Sequence, residues 1–250
     1  MTGMPCSPLA DGAGTGSAMN FAERIAGKVL NCAKPLHRRF RNQKIELFLA
    51  LIRASGGGGR LLDIGGGSGI EGEFLHLYKN FAEVTVVNLT ARPIIAPHGV
   101  TLTVLVADGR YLPFEDRSFD WVFSNAVIEH VGARTHQRRF ASEIRRVAAR
   151  GYFVTTPNKF FPIEPHTMLP FYQFLPLSVQ KKVAPLSPGY LREYEEIHLI
   201  SRGQMKTLFP DASVLPIGVP VLGNSLVAYH LNGSAQSGRE MQLQAAADHD

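Results

Sequence analysis

An α/β fold, with a doubly wound and mostly parallel sheet carrying helices on both faces, is what this sequence predicts, and three observations carry the prediction. Short runs rich in Val, Leu, Ile and Thr alternate with stretches whose apolar residues recur at helical spacing. The first such run ends in a glycine-dense turn, Gly65-Gly66-Gly67-Ser68-Gly69. The chain has 250 residues, 45% of them hydrophobic, which suits one domain with a sizeable core.

Taken in order, Phe21–Leu30 and Arg41–Ala54 read as helices, and in the second Ile45, Phe48, Leu49 and Ile52 share a face. Gly56–Gly59 breaks that helix, and Arg60–Ile64 is a strand leading into the glycine turn and a helix from about Ile70 to Tyr78. Glu83–Asn88, Thr101–Ala107 and Asp120–Ser124 are the second, third and fourth strands. Thr135–Ala149 is a helix burying Phe140, Ile144 and Val147, and Tyr152–Thr156 is a fifth strand ended by Pro157. Strands separated by helices imply a parallel sheet buried on both faces. Residues 159–198 break the rhythm with prolines and aromatics and are expected to form an inserted cap. Arg202–Leu208 is helical, and Ser213–Ile217 with Ser225–His230 would close the sheet as an antiparallel pair, giving seven strands. The domain is therefore expected over residues 20–232, between two disordered tails, 1–19 and 233–250, that are too poor in apolar surface to offset ordering entropy.

Composition excludes several classes. Cys6 and Cys32 are the only cysteines, and neither a disulfide framework nor a zinc spacing is present. Met1–Asn20 lacks the basic end and apolar stretch of a signal peptide, and Ile45–Ile52 is too short to cross a bilayer, so a soluble, cytoplasmic protein is expected. The net charge is +5, with a basic run at Lys34–Lys44 and arginines 138, 139, 145 and 146 on a helix. A solvated surface is the plainer reading of these, beside an anionic acceptor, a membrane surface or RNA. Without a zinc knuckle or an aromatic–basic interleaving, nucleic acid is disfavoured. No heptad seam sets an oligomeric state.

The informative segment is Leu61-Leu62-Asp63-Ile64 and the turn that follows. Glycine lets a backbone turn sharply and approach a ligand closely, and in open α/β sheets ligands bind at the carboxyl ends of the strands. A tight connection with no ligand is the plainer alternative. Gly67-x-Gly69-x-x-Gly72 also satisfies a dinucleotide pattern, but the glycine directly after the strand is Gly65, and from there the third glycine position is Ile70. Asp63 beside the loop suits a ligand carrying an ammonium and a sulfonium better than a pyrophosphate, so S-adenosylmethionine is favoured over NAD. Downstream, Asp108-Gly109-Arg110-Tyr111-Leu112-Pro113-Phe114 places an acceptor-only carboxylate at the third strand end.

Together with Phe119-Asp120-Trp121-Val122-Phe123-Ser124-Asn125 and Val127-Ile128-Glu129-His130-Val131, these blocks resemble the type-11-like class I methyltransferases over Leu61–Asn158. That resemblance implies a Rossmann-like fold using S-adenosylmethionine. It implies that Asp63, Gly65, Gly67 and Gly69 line the methionine end of the cofactor, and that Asn88 and Leu89 lie at its ribose. Asp108 and Gly109 would flank the adenine, and Asn125 would close the pocket. Where the family usually has a ribose-binding acid, this chain has Asn88. An amide still donates and accepts, but without charge assistance, and a catalytically silent cofactor-binding or partner protein is the alternative.

Methyl transfer needs alignment and exclusion of water, and a hydroxyl or ammonium acceptor must also lose a proton. His130 is the expected base, with Glu129 beside it; a structural role carries comparable weight. Glu129 and His130 are adjacent ligand types without a third at evident spacing, so no metal is predicted. Glu164, His166 and His198 are further candidates to orient the acceptor. Phe160, Phe161, Phe171, Tyr172 and Phe174 read as the cap's own small core rather than an apolar acceptor pocket. The expected activity is methylation of an oxygen or nitrogen on a small-molecule, glycan or lipid-precursor acceptor, with an NAD(P)-dependent oxidoreductase as the enzyme alternative.

Overall fold

The computed structural model describes residues 21–66, 75–90, 93–187, 194–219 and 222–232. Both expected tails lie outside these residues. So do 67–74, with Gly67, Gly69 and most of the helix expected from Ile70.

A single seven-stranded sheet organises the rest, in the order β3-β2-β1-β4-β5-β7-β6. Strands β1 (Arg60–Ile64), β2 (Glu83–Asn88), β3 (Thr101–Val106), β4 (Phe119–Asn125) and β5 (Ala148–Pro157) run parallel. β7 (Ser225–Leu231) inserts antiparallel between β5 and β6 (Ser213–Ile217), as expected of a closing pair. The chain winds outward from β1 through β2 to β3, then returns to place β4 on the other side of β1. The crevice this reversal leaves at the strand carboxyl ends is where doubly wound sheets bind ligands.

Side chains alternate across each strand, and the alternation builds two cores. Leu61, Trp121, Phe123 and Phe153 point to one face, where α1 (Phe21–Ala54) lays down Ile45, Phe48, Leu49 and Ile52 and α2 (Leu75–Tyr78) adds Leu77 and Tyr78. Leu62, Val122, Tyr152 and Val154 point to the other, against Phe140, Ile144 and Val147 of α3 (Arg134–Val147) and Met205 and Leu208 of α5 (Arg202–Leu208). Phe48 is the centre of the first core: its ring lies 5.0–5.5 Å from those of Phe153, Phe123 and Trp121. Truncating it to Ala would cost about 3–5 kcal/mol, the usual range for a fully buried phenylalanine.

Two elements differ from the sequence expectation. The two N-terminal helices are one helix of 34 residues that runs through Pro35. The linking residues are mostly good or neutral helix formers, and a proline removes one hydrogen bond rather than ending every helix it meets. β5 begins at Ala148, directly where α3 stops, because Ala148 already has extended backbone angles. In the stretch expected to be a cap, residues 159–187 hold two 3-10 turns, Tyr172–Phe174 and Ala184–Leu186, and the short α4 (Leu177–Val183). Residues 188–193 of the expected cap lie outside the described residues.

Candidate active site

β1 delivers Asp63 to the sheet's carboxyl edge as a buried residue, 1% exposed. Its Oδ2 accepts a 2.6 Å hydrogen bond from Tyr78 Oη on α2. Burial pushes the Asp63 carboxyl up to about 7, against the smaller opposing effect of the tyrosine bond. A carboxylate so poorly solvated gains from a cation placed beside it. Gly65 follows at φ 87°, a left-handed conformation, and a Cβ there would overlap Val127. Its N–H donates to Val87 O at 2.8 Å, and Ser124 Oγ donates to Ile64 O, so the turn's first residue is tied to β2 and β4.

At the end of β2, Asn88 Nδ2 donates to Gly66 O. The amide therefore tethers the glycine turn, a task that a carboxylate in its place could not perform, since a carboxylate has no proton to give. Leu89 is 72% exposed at the mouth of the crevice. Asp108 is held by Arg110, whose Nε and Nη2 reach its carboxylate at 2.6–3.0 Å, and by the Arg110 N–H at 2.8 Å. The Arg110 hydrogen bonds keep the Asp108 carboxyl below its ordinary value despite partial burial. Gly109 has no room for a side chain, because a Cβ would stand 2.6 Å from Phe140 and 2.9 Å from Ile64. Asn125, ending β4, accepts from Thr155 Oγ1 at 2.7 Å and from Lys44 Nζ of α1 at 3.2 Å. Asp63, Gly65, Asn88 and Asn125 thus stand on the ends of three adjacent strands, with Asp108 just past a fourth, β3.

After β4 the chain turns sharply at Ala126, φ 54°, and presents Glu129 and His130. Glu129 is 0% exposed. Thr156 Oγ1 donates to its Oε2 at 3.0 Å, while Oε1 has no hydrogen-bond partner among the described residues. Burial holds its carboxyl above the ordinary value. His130 is more open, its side chain 31% exposed, with Nδ1 3.3 Å from Glu195 Oε1. The third member comes from the cap: His166 Nδ1 lies 2.5 Å from Glu164 Oε1, and its ring meets that of His130 edge-on, centroids 5.1 Å apart. Burial pulls the His166 imidazole down, but the Glu164 bond and the charges of Glu164, Glu129 and Glu195 together hold it above its ordinary value. One ligand atom each from Glu129, His130 and His166 lie within 4.8 Å of one another. The third group that sequence spacing did not supply is therefore His166, brought in by the fold from 36 residues beyond His130.

Glu164 organises the cap, accepting from the N–H groups of His166 and Thr167 and from Thr167 Oγ1. The cap interior is accordingly polar, which corrects the aromatic core expected there. Only Tyr172 of the five aromatics is buried, while Phe160, Phe171 and Phe174 are exposed, two of them stacked on each other at 6.1 Å. Prolines and left-handed residues at Met168 and Phe171 turn the backbone too often for one face to be shared. Between the cap and α3 lies a polar cleft of about 260 Å³, lined among others by Arg134, Lys159, Glu164, Gln173 and Glu195. Tyr172 Oη and Gln173 Oε1, also in its lining residues, have no partner among the described residues. His198 lines the cleft rather than joining the histidine pair, and its Nε2 is 3.3 Å from Glu196.

Three of the α3 arginines act as clamps. Arg146 binds Glu143, Asp116 and the carbonyls of Leu112 and Phe114, Arg145 pairs with Asp211, and Arg139 lies over the Tyr111 ring. Sequence reasoning did not single out Tyr78, Lys44, Thr156 or Glu195. Each lies far along the chain from its partner, and no short motif joins them.

A family model described as a methyltransferase domain matches residues 62–155. No curated protein matches the chain in sequence. Among solved structures, the magnesium protoporphyrin IX methyltransferase ChlM of Synechocystis, with bound SAH, aligns at a TM-score of 0.51 and 14% identity, over 89% of this chain and 90% of that one. The N-methyltransferase NodS of Bradyrhizobium japonicum, in complex with S-adenosyl-L-homocysteine, aligns at 0.50 and 12% identity, over 78% and 87%. At such identities the likeness establishes the fold. Among the described residues, no helix is long and apolar enough to cross a membrane.

Proposed function

We propose that the chain, whose residues 62–155 match a methyltransferase-domain model, methylates an oxygen or nitrogen of a small acceptor with S-adenosylmethionine as donor. The observation that carries this reading is Asp63. A buried carboxylate at the end of β1, raised to about 7 and set against a glycine turn, fits a ligand that brings its own cation. A pyrophosphate brought to the same place would meet like charge, which disfavours the NAD(P) alternative.

S-adenosylmethionine supplies an activated methyl on its sulfonium. In this reading Asp63 takes the ammonium, and Gly65, with Gly67 and Gly69 outside the described residues, lets the backbone approach. Asn88 Oδ1 accepts from the ribose while its Nδ2 stays on Gly66, and Leu89 covers that edge. Asp108 accepts from the adenine amino group with Arg110 fixing the carboxylate, and Gly109 keeps the ring's floor clear. Asn125, braced by Lys44 and Thr155, closes the pocket. Glu129, His130 and His166 face the acceptor, and His130, the most open of the three, takes its proton. The domain extends over residues 20–232, with 159–198 as a cap whose polar cleft favours an acceptor rich in hydroxyl or amino groups.

The test is calorimetric titration of the purified protein with S-adenosylmethionine, S-adenosylhomocysteine and NADH in parallel. Binding of the two sulfur compounds alone is expected. Binding of NADH alone, or of none by a folded protein, would overturn the reading.

A further inference from the structure

We propose that Glu129, His130 and His166 form a binding site for a divalent transition ion, Zn²⁺ foremost. The proposal depends on the methyl-transfer reading for the use made of the ion, not for its binding. Three features argue for it beyond proximity.

The first is the Glu129 carboxylate. It is wholly buried, one oxygen is bonded to Thr156, and the other has no partner among the described residues. An acceptor-only oxygen sealed from water in this way calls for a proton or a cation.

The second is what stands behind each imidazole. Glu164 meets Nδ1 of His166 and Glu195 meets Nδ1 of His130. With Nδ1 carrying the proton toward a carboxylate, the ring's lone pair is on Nε2, the tautomer that a metal ligand requires. The carboxylate also fixes the ring's orientation. Two such carboxylate–histidine pairs converging beside an orphaned carboxylate is not an arrangement that core packing asks for.

The third is reach. Zinc bound at about 2.0–2.2 Å to nitrogen and oxygen in tetrahedral geometry needs donors about 3.4 Å apart. The present separations, none above 4.8 Å, require a closure of at most about 1.4 Å. His130 is exposed enough to supply it by side-chain rotation. Two imidazoles and one carboxylate favour zinc over magnesium or calcium, which prefer all-oxygen sites. Three protein ligands leave one position open, as in catalytic rather than structural zinc sites. An acceptor oxygen or nitrogen in that position would lose its proton to solvent water more easily, with His130 then acting as ligand instead of base.

The experiment uses the full chain stripped with EDTA. Zn²⁺ is titrated calorimetrically, and Co²⁺ serves as a spectroscopic surrogate. One ion per chain is expected, with visible Co²⁺ bands that Zn²⁺ abolishes. Glu129→Gln and His130→Ala should each weaken Zn²⁺ by more than about 100-fold, beyond the 10–100-fold typical of residues that only support a ligand. His130 is near the surface, so that variant is expected to fold even if the Glu129 change does not, and circular dichroism checks both. Absence of saturable Zn²⁺ binding by the wild type, or undiminished binding by folded His130→Ala, would overturn the site. S-adenosylhomocysteine is titrated into the same samples. Zinc binding without it would leave the metal site standing and sink the methyl-transfer reading, while the converse would do the opposite.

Discussion

If Asp63 receives the cofactor's ammonium, cofactor binding must release a proton from it at mildly acidic pH. The carboxyl sits at about 7 in the protein alone because burial disfavours its charge. An ammonium in contact favours the ionised form, so the bound state holds fewer protons than the free one below pH 7. At pH 6 about one-tenth of the free protein is ionised at Asp63, and at pH 7 about half, which makes affinity roughly fivefold tighter at the higher pH. Above about 8 the ligand's own ammonium titrates and the gain ends. The assay is calorimetry with S-adenosylhomocysteine, which keeps the ammonium, at pH 6 and 7. Two buffers of different ionisation enthalpy at pH 6 should reveal release of about 0.9 proton. Tyr78→Phe removes the bond that lowers the Asp63 carboxyl, so the midpoint should move upward. Equal affinities at both pH values, with no buffer-dependent enthalpy, would refute the placement of Asp63. The same shift fixes the sign for stability. Between about pH 4 and 7 the native chain keeps a proton that the unfolded chain has lost. Asp63 therefore costs stability as pH rises through that window, up to about 4 kcal/mol, and a bound cation offsets the loss.

Asn88→Asp restores the family's usual acid yet should not tighten cofactor binding, because it sets a carboxylate against the Gly66 carbonyl that Asn88 now bonds; a loss of about 1–2 kcal/mol in binding free energy is expected by calorimetry. Ala126→Gly relieves a left-handed alanine at the site's entrance and should raise thermal stability by about 1 kcal/mol with turnover intact. His130→Ala should leave S-adenosylhomocysteine affinity within a factor of about two while slowing methyl transfer at least about 100-fold, measured with a labelled donor once an acceptor is found.

The sheet was legible because its signals are local. Leu61, Leu62, Val84, Val86, Val122 and Phe123 are runs of buried strand residues, and the glycines after Asp63 punctuate the first of them. Helix α1 is one element where the sequence reading has two, Phe21–Leu30 and Arg41–Ala54, because the residues between them, Pro35 included, carry no helical apolar stripe to read although the chain there stays helical. What the sequence could not show are pairings across distance. Tyr78 lies 15 residues from Asp63, Lys44 lies 81 from Asn125, and Glu195 lies 65 from His130. The Glu129–His130–His166 cluster needs β4 and β5 side by side before His166 can arrive, so no spacing rule anticipates it. The cap's aromatics misled for the opposite reason: hydrophobicity names residues fit for a core, but not whether the backbone lets them share one face.

Asp108 poses the last question for the cofactor reading, because Arg110 already occupies both of its oxygens. A carboxylate offers about four acceptor positions, so an adenine amino group can bond alongside the guanidinium. Arg110 then has a positioning role: it fixes the carboxylate's plane, keeps it ionised and, through Nη1 on Val131 O, ties the adenine end to the segment carrying His130. On that account Arg110→Ala should weaken S-adenosylhomocysteine binding by about 1 kcal/mol, roughly five- to tenfold, with little salt dependence in the wild type since the lost contact is geometric. If the guanidinium instead competes with adenine for the same lone pairs, the variant will bind more tightly, and more so at low salt. Tighter binding would mean that Asp108 exists for Arg110, and that the adenine is recognised elsewhere along the crevice.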